Sequence, residues 1–261
     1  MTTLASFQNP PNILNSFPAT APNRLLYSNI IATGSDPGCC NMFSIGATAG
    51  TEHTYPAENF AMLLGGNLPS GKLFGTSYNY ATLANGLATV DTTGDVRPFY
   101  QFPSPNLLLA PPIYGADGSY YGTVVPSGTA TTTDFYKVTP SGAFTLVATL
   151  PFGTTPFVGG GLVLQGSDGN FYGIQSTGPC PSSQHGAVYK LTPAGQYTIL
   201  HDFGICGKAV IDSLIEGSDG KLYGATEGNN LLFSLTTSGD YKVLFETSNG
   251  STQGICPCWL L

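Results

Sequence analysis

The residues of this chain that could do chemistry are few and occur singly. Asp212 is the first of them, set in Ala209-Val-Ile-Asp-Ser213, an otherwise apolar run with the character of an inner strand, where other repeats carry Ala110 or Gly161. A carboxylate there either faces an opening or is buried, and burial obliges it to find partners. It can then clamp neighbouring elements by hydrogen bonds, or bind a ligand, or act as an acid or base. His185 stands in Ser182-Ser-Gln-His-Gly186, which is also an ordinary polar loop. Its imidazole can move a proton near neutral pH. The run Tyr78-Asn79-Tyr80 offers two aromatic faces and an amide. That set suits stacking on a sugar or gripping a protein partner, and equally the packing down of a loop. His53 and His201 fall on outer strands, where a solvated histidine is expected. The chain has no His-Glu-x-x-His, no Gly-x-Ser-x-Gly, no phosphate loop and no dinucleotide fingerprint. No cofactor is called for.

Cysteine is the other reactive type, with six in the chain: Cys39, Cys40, Cys180, Cys206, Cys256 and Cys258. An even count with few charges and much Thr, Ser, Gly and Asn fits a disulfide-bonded protein outside the cytoplasm. The alternative is a metal site from Cys39-Cys40 with Cys256-Pro-Cys258. Its vicinal and one-apart spacings are poor for tetrahedral zinc, so no metal is expected. Met1-Thr-Thr-Leu-Ala-Ser-Phe7 has neither the basic nor the apolar region of a signal peptide. A secreted or extracytoplasmic protein would therefore need a leader that this chain does not carry.

Composition narrows the partners. Of 261 residues, 34 are Gly and 20 Pro, 41% are hydrophobic, and the net charge is -7. The chain can bury a core and is not a disordered tail. Eight Lys and Arg scattered over this length exclude a basic nucleic-acid footprint. No apolar run approaches the roughly 18 residues of a membrane-spanning helix. What remains is carbohydrate, a small molecule or a surface protein.

The elements that must position these residues come from a repeat. An aromatic-Gly motif after a turn recurs at Leu26-Tyr-Ser28, Leu73-Phe-Gly75, Tyr120-Tyr-Gly122, Phe171-Tyr-Gly173 and Leu222-Tyr-Gly224, at spacings of 47, 47, 51 and 51. A second series follows it each time, at Met42-Phe-Ser-Ile45, Gly86-Leu-Ala-Thr-Val90, Phe135-Tyr-Lys-Val138, Val188-Tyr-Lys-Leu191 and Leu232-Phe-Ser-Leu235, and runs into a turn closing on Gly50, Gly94, Gly142, Gly195 or Gly239. Each repeat reads as four short strands. Strand A is apolar, as in Gly161-Leu-Val-Leu-Gln165, and a tight turn such as Gly166-Ser-Asp-Gly169 leads to strand B, the aromatic-Gly motif. Asp-Gly suits a two-residue hairpin, which makes A and B antiparallel neighbours. Strand C is the Tyr-Lys-Leu run, and Thr192-Pro-Ala-Gly195 turns it into strand D. No window shows a 3.6-residue apolar period, so helix is expected to be nearly absent.

Four-stranded antiparallel units at this spacing predict an all-β fold, a β-propeller of five four-stranded repeats (roughly 8–60, 61–102, 103–152, 153–203 and 204–247) in one domain over 1–261. Two orphan terminal strands, 2–7 and 254–261, would close the ring, burying Trp259; the alternative is an incomplete six-bladed propeller. The repeats resemble the tandem GloVer-type repeats, found mostly in exported bacterial proteins. Gly220-Lys-Leu-Tyr-Gly-Ala-Thr226 and Gly186-Ala-Val-Tyr-Lys-Leu-Thr-Pro-Ala-Gly195 carry the likeness, while Ser28 and Asp91-Thr-Thr-Gly94 depart from it. The resemblance implies a propeller and supplies no catalytic residues.

In such a meander the A–B and C–D turns share one face and the B–C and D–A connections the other. The first set is uniformly tight. The second is long: Asn29 to Asn41, Thr76 to Asn85, Thr123 to Thr133, Ile174 to Gly186, Ala225 to Asn230, Gly153 to Gly160 and Gly204 to Lys208. Function concentrates in such loops. Every cysteine maps to that face, which sets Cys180 beside Cys206 and brings Cys39 and Cys40 toward Cys256 and Cys258 if the ring closes.

Three functions fit. The first expectation is an extracellular binding module that recognises carbohydrate or a surface partner through the long-loop face. The second is an enzyme, a lyase, hydrolase or cyclase with one active site at the channel mouth and a small, largely apolar substrate. The third is a structural subunit that self-assembles through its terminal strands.

Overall fold

The computed structural model describes residues 12–14, 19–20, 26–32, 41–45, 52–55, 60–79, 82, 84–91, 95–103, 107–108, 110–126, 132–151, 163–177, 185–204, 209–228 and 231–246. Every regular element among them is a β-strand. The strands pair into five antiparallel sheets in chain order. In the first, β1 (Asn12–Leu14) and β2 (Ala19–Thr20) both pair with β3 (Leu26–Ala32), followed by β4 (Asn41–Ile45) and β5 (Glu52–Tyr55). The second runs β6 (Phe60–Asn67), β7 (Leu73–Asn79), β8 (Ala84–Val90) and β9 (Val96–Gln101). In the third, β10 (Leu107–Leu108) and β11 (Ile113–Tyr114) both pair with β12 (Tyr120–Val125), followed by β13 (Thr132–Val138) and β14 (Phe144–Pro151). The fourth is β15 (Val163–Gln165), β16 (Phe171–Thr177), β17 (His185–Leu191) and β18 (Tyr197–Asp202). The fifth is β19 (Ala209–Glu216), β20 (Leu222–Gly228), β21 (Leu231–Leu235) and β22 (Tyr241–Glu246).

The chain divides into two compact units. One comprises Met1–Tyr114, Gly118–Tyr121 and Val138–Phe144; the other Gly115–Asp117, Gly122–Lys137 and Thr145–Leu261. In the first, Met62, Leu64, Leu73, Ala88 and Val90 form a buried cluster, with Val96 packed against it. In the second, Tyr172, Ile174, Val188, Leu222, Phe233 and Leu235 are buried together, flanked by Leu164, Leu200, Phe203, Leu214 and Tyr241. Middle strands are covered on both faces: Phe171, Tyr172, Gly173 and Ile174 of β16 are all buried. That explains why they read as unbroken apolar runs, whereas the outer strands β9, β14, β18 and β22 are half-buried to exposed apart from Leu150.

The glycine of the aromatic-Gly motif has a steric cause. Gly173 pairs with Tyr189, and a Cβ on Gly173 would run into the Tyr189 ring. Gly224 stands in the same relation to Phe233. At Gly122 the Cβ would come 2.6 Å from the Tyr136 hydroxyl. The bare backbone lets the strand C ring lie across strand B. In the first sheet the partners are Ser28 and Phe43, the one repeat where the glycine is replaced.

The tight turns are real, but the expected hairpin type is not. Gly169 N donates to Gly166 O at 2.9 Å, while Gly166 N donates to Asn170 O at 2.8 Å. Three residues, not two, are thus enclosed, with Gly169 left-handed at φ 80°. Gly217 to Lys221 repeats this pattern, as does Leu68 to Lys72. A type I turn followed by a left-handed glycine needs one positive φ instead of two, so Asp168 keeps an ordinary backbone and only Gly169 requires glycine.

Candidate functional site

The strand carrying Asp212 is irregular where Asp212 stands. On β19, Ile211 pairs with Thr226 and Ser213 with Ala225, so Asp212 is an extra residue in a β-bulge. The faces of β19 show what the bulge accomplishes. Leu214 packs into the apolar cluster of the fourth and fifth sheets, and Glu216 accepts hydrogen bonds from Ser167 in the fourth. Leu214 pairs with Gly224, which lies on the same face of β20 as Thr226, the partner of Ile211. A regular strand would give that inner position to residue 212. The bulge sets Asp212 outside the pairing register of β19 and β20. Bulges are over-represented beside active sites.

His185 opens β17, opposite Thr177 on β16, and β19 packs against both of these strands. Asp212 and His185 therefore stand toward the same end of packed strands, the end of the long connections. Tyr78 and Asn79 correct the expected loop boundary. They are not in a loop but end β7, paired with Asn85 and Ala84. Backbone pairing does not need apolar side chains, so ladders extend past the apolar runs. Asn79 Oδ1 accepts Thr82 N at 3.1 Å, a local bond that shapes the turn. Tyr80 and all six cysteines lie outside the described residues, as do segments 2–7 and 254–261. His201 on β18 is half-buried and stacked on Tyr241, centroids 3.9 Å apart at 6°, and burial pushes its pKa down.

The opposite, tight-turn end holds carboxylates whose bonding the sequence reading missed. Asp168 accepts Asn170 N at 3.0 Å, Asn170 Nδ2 at 2.8 Å, the Tyr172 hydroxyl at 2.7 Å and Lys190 Nζ at 3.3 Å. Partial burial pushes its carboxyl up, but the bonds from Tyr172, Asn170 and Lys190 outweigh that and hold it at about 2. Asp219, bonded by Lys221 Nζ at 2.8 Å and the Tyr223 hydroxyl at 3.0 Å, is likewise held at about 2. Asp117 pairs with Lys137 Nζ at 2.7 Å. The signal was present as Asp and Tyr four residues apart at 117/121, 168/172 and 219/223. Carboxylates so fully engaged and so acidic are braces for the hairpin, and they make poor proton carriers near neutrality.

Among the described residues no group of three or more His, Cys, Asp or Glu could hold a metal ion. Among them there is no helix long and apolar enough to cross a membrane. No protein-family model matches the chain, and neither does any curated protein. Solved structures do. Virginiamycin B lyase from Staphylococcus aureus superposes with a TM-score of 0.56 at 14% identity, over 87% of this chain and 68% of that one. Puromycin hydrolase gives 0.60 at 15% identity, over 90% of this chain and 38% of that one. A gluconolactonase from Xanthomonas campestris gives 0.54 at 13% identity, over 89% and 76%. At these identities the likeness shows the fold, an all-β propeller of four-stranded antiparallel sheets. It also overturns the first functional expectation, a module that binds carbohydrate or a surface partner. The three structures named are a lyase, a hydrolase and a gluconolactonase.

Proposed function

We propose that this chain is a propeller enzyme, a lyase, hydrolase or cyclase acting on a small, largely apolar substrate. Its active site lies at the long-connection end of the fourth and fifth sheets. The observation that carries the proposal is the bulge at Asp212, which sets the one charged residue of an otherwise apolar run outside the strand register. Asp212 acts as the acid or base, and His185, at the same end of β17, is the second group able to carry a proton. The likeness to a lyase, a hydrolase and a gluconolactonase supports an enzyme, since propellers host such reactions by varying their loops. Incubation with virginiamycin B and puromycin, read by mass spectrometry, tests the proposal. Turnover of at least one is expected, lowered about a hundredfold or more in Asp212→Asn. No turnover by the wild type, or unchanged turnover in the variant, overturns it.

We further infer that the repeats are of the GloVer type and that the protein works outside the cytoplasm with Cys180 bonded to Cys206. The recurring Gly-x-Leu-Tyr-Gly and Tyr-Lys-Leu-Thr-Pro-x-Gly patterns and the even cysteine count support this. Peptide mapping without reduction is expected to recover the linked pair, and a free Cys180 thiol overturns both the bond and the compartment.

A further inference from the structure

Charge is divided unevenly between the two ends of the sheets in the unit that holds the fourth and fifth. Strands A and C begin, and strands B and D end, at the long connections. Toward that end stand Asp134 on β13, Asp202 closing β18, Asp212 on β19, Glu227 on β20 and Glu246 closing β22. No Lys or Arg among the unit's described residues joins them, and Lys208 lies outside the described residues. Toward the tight-turn end, Asp117, Asp168, Glu216, Asp219 and Asp240 are accompanied by Lys137, Lys190, Lys221 and Lys242. Three of these lysines are paired there, Lys137 with Asp117 at 2.7 Å, Lys190 with Asp168 at 3.3 Å and Lys221 with Asp219 at 2.8 Å. Both ends hold as many carboxylates, so acidic composition alone does not set them apart. What differs is where the cations are.

The two ends are also electrostatically separate. Ala116 N donates to Gln165 and Ser167 N to Glu216, which ties the tight-turn ends of neighbouring sheets together. The long-connection ends of the same sheets are gathered in turn. A strand of seven residues spans about 23 Å, whereas charges in physiological salt are screened over about 8 Å. Lysines at one end therefore do little to neutralise carboxylates at the other. A surface of one sign concentrates ligands of the opposite sign and speeds their arrival.

We propose that the ligand of the site at Asp212 is an organic cation, an apolar body carrying one protonated amine. The inference rests on the enzyme reading for the place of binding, and on the division of charge for the sign of the ligand.

Fluorescence titration of the full chain with dansylcadaverine, an aromatic body with one amine, tests the proposal against its uncharged N-acetyl derivative. The titration is run at about pH 8, above the ordinary range of histidine and below that of an alkyl amine. At about 10 mM salt the amine is expected to bind at least about tenfold more tightly than the acetylated form. About 0.5 M salt is expected to remove most of that preference. D202N/E246Q, at two exposed positions of the long-connection end, is expected to reduce it about threefold. D117N/D240N, which takes the same charge from exposed positions of the tight-turn end, is expected to leave it unchanged. An amine that fails to bind at millimolar concentration, or binds no better than its acetylated form, overturns the proposal. So does a preference that survives salt, or one that both double variants reduce equally. Displacement of the amine by an equal concentration of calcium would make this end a metal site and overturn it too. Turnover of virginiamycin B or puromycin without the preference would leave the enzyme reading and overturn the cation. The preference without turnover would do the reverse.

Discussion

Glu216, the last residue of β19, holds the turn of the preceding sheet through two bonds to Ser167, accepting the backbone N–H at 2.8 Å and the hydroxyl at 2.7 Å. One repeat earlier the relation recurs, with Gln165 Oε1 accepting Ala116 N at 2.8 Å. In these two repeats the end of strand A thus latches the A–B turn before it. Glu216→Ala is expected to cost about 1 kcal/mol, the net worth of such bonds at a half-exposed site. Glu216→Gln is expected to cost less, since the amide oxygen can still accept one of them. Urea unfolding of the three proteins checks the order. Equal midpoints for Ala and wild type would remove the latch.

Gly173 is expected to tolerate no side chain. In Gly173→Ala the new methyl meets the fully buried ring of Tyr189, and overpacking of this kind costs about 1–3 kcal/mol. Pairing it with Tyr189→Leu is expected to give a loss smaller than the sum of the two single losses, because the shortened side chain makes room for the methyl. A double-mutant cycle on thermal unfolding measures this. Strict additivity would show that the glycine is there for another reason.

Much of the architecture was legible because it is periodic. Two registers of aromatic residues and turn glycines located five sheets, and the tight connections fell where Asp-Gly and Pro-x-Gly placed them. Turn type was not legible, since Gly-Ser-Asp-Gly fits a two-residue and a three-residue hairpin equally well. Strand ends were missed at Tyr78, Asn79 and His185 because ladder bonds depend on the partner strand and not on local hydrophobicity. The bulge at Asp212 was invisible for a related reason: an extra residue is defined only against the register of β20. What singled out Asp212 in the sequence was polarity alone. The function class was misjudged because five similar units, polar loops and the lack of a catalytic constellation in the sequence suggested a binding module, and a fold alone does not fix a function.

Asp168 and Asp219 make stability sensitive to acid. Both carboxyls are held at about 2 in the folded protein, below their ordinary value of 3.8. A group whose folded pKa is depressed stabilises the fold above its unfolded value, and that contribution is lost as pH falls through the folded one. Melting temperature is therefore expected to drop between about pH 4 and pH 2. Asp168→Asn is expected to be less stable than the wild type at neutral pH and to show a shallower fall across that window. The effect is partial because Lys190 and Asp168 are both partly solvated. Parallel melting curves of wild type and variant that never converge on acidification would exclude Asp168 as a source of the acid sensitivity.

Deleting Asp212 separates the bulge from the fold. Without it, Ile211 opposite Thr226 and Ser213 opposite Ala225 become consecutive pairs, so the rest of β19 keeps its register. The contacts of Leu214 and Glu216 lie beyond the deletion and are untouched. The strand loses only its extra residue and the local twist that goes with it. The deletion is therefore expected to keep the β-sheet circular dichroism spectrum and to melt within a few degrees of the wild type, a shift worth about 1 kcal/mol at most. Catalytic turnover, in contrast, is expected to disappear, as the carboxylate is gone and the strand no longer bends there. A deletion that unfolds the protein would mean that the bulge serves packing, and Asp212 would then be a structural residue. Folding retained with turnover lost would leave Asp212 with the reaction.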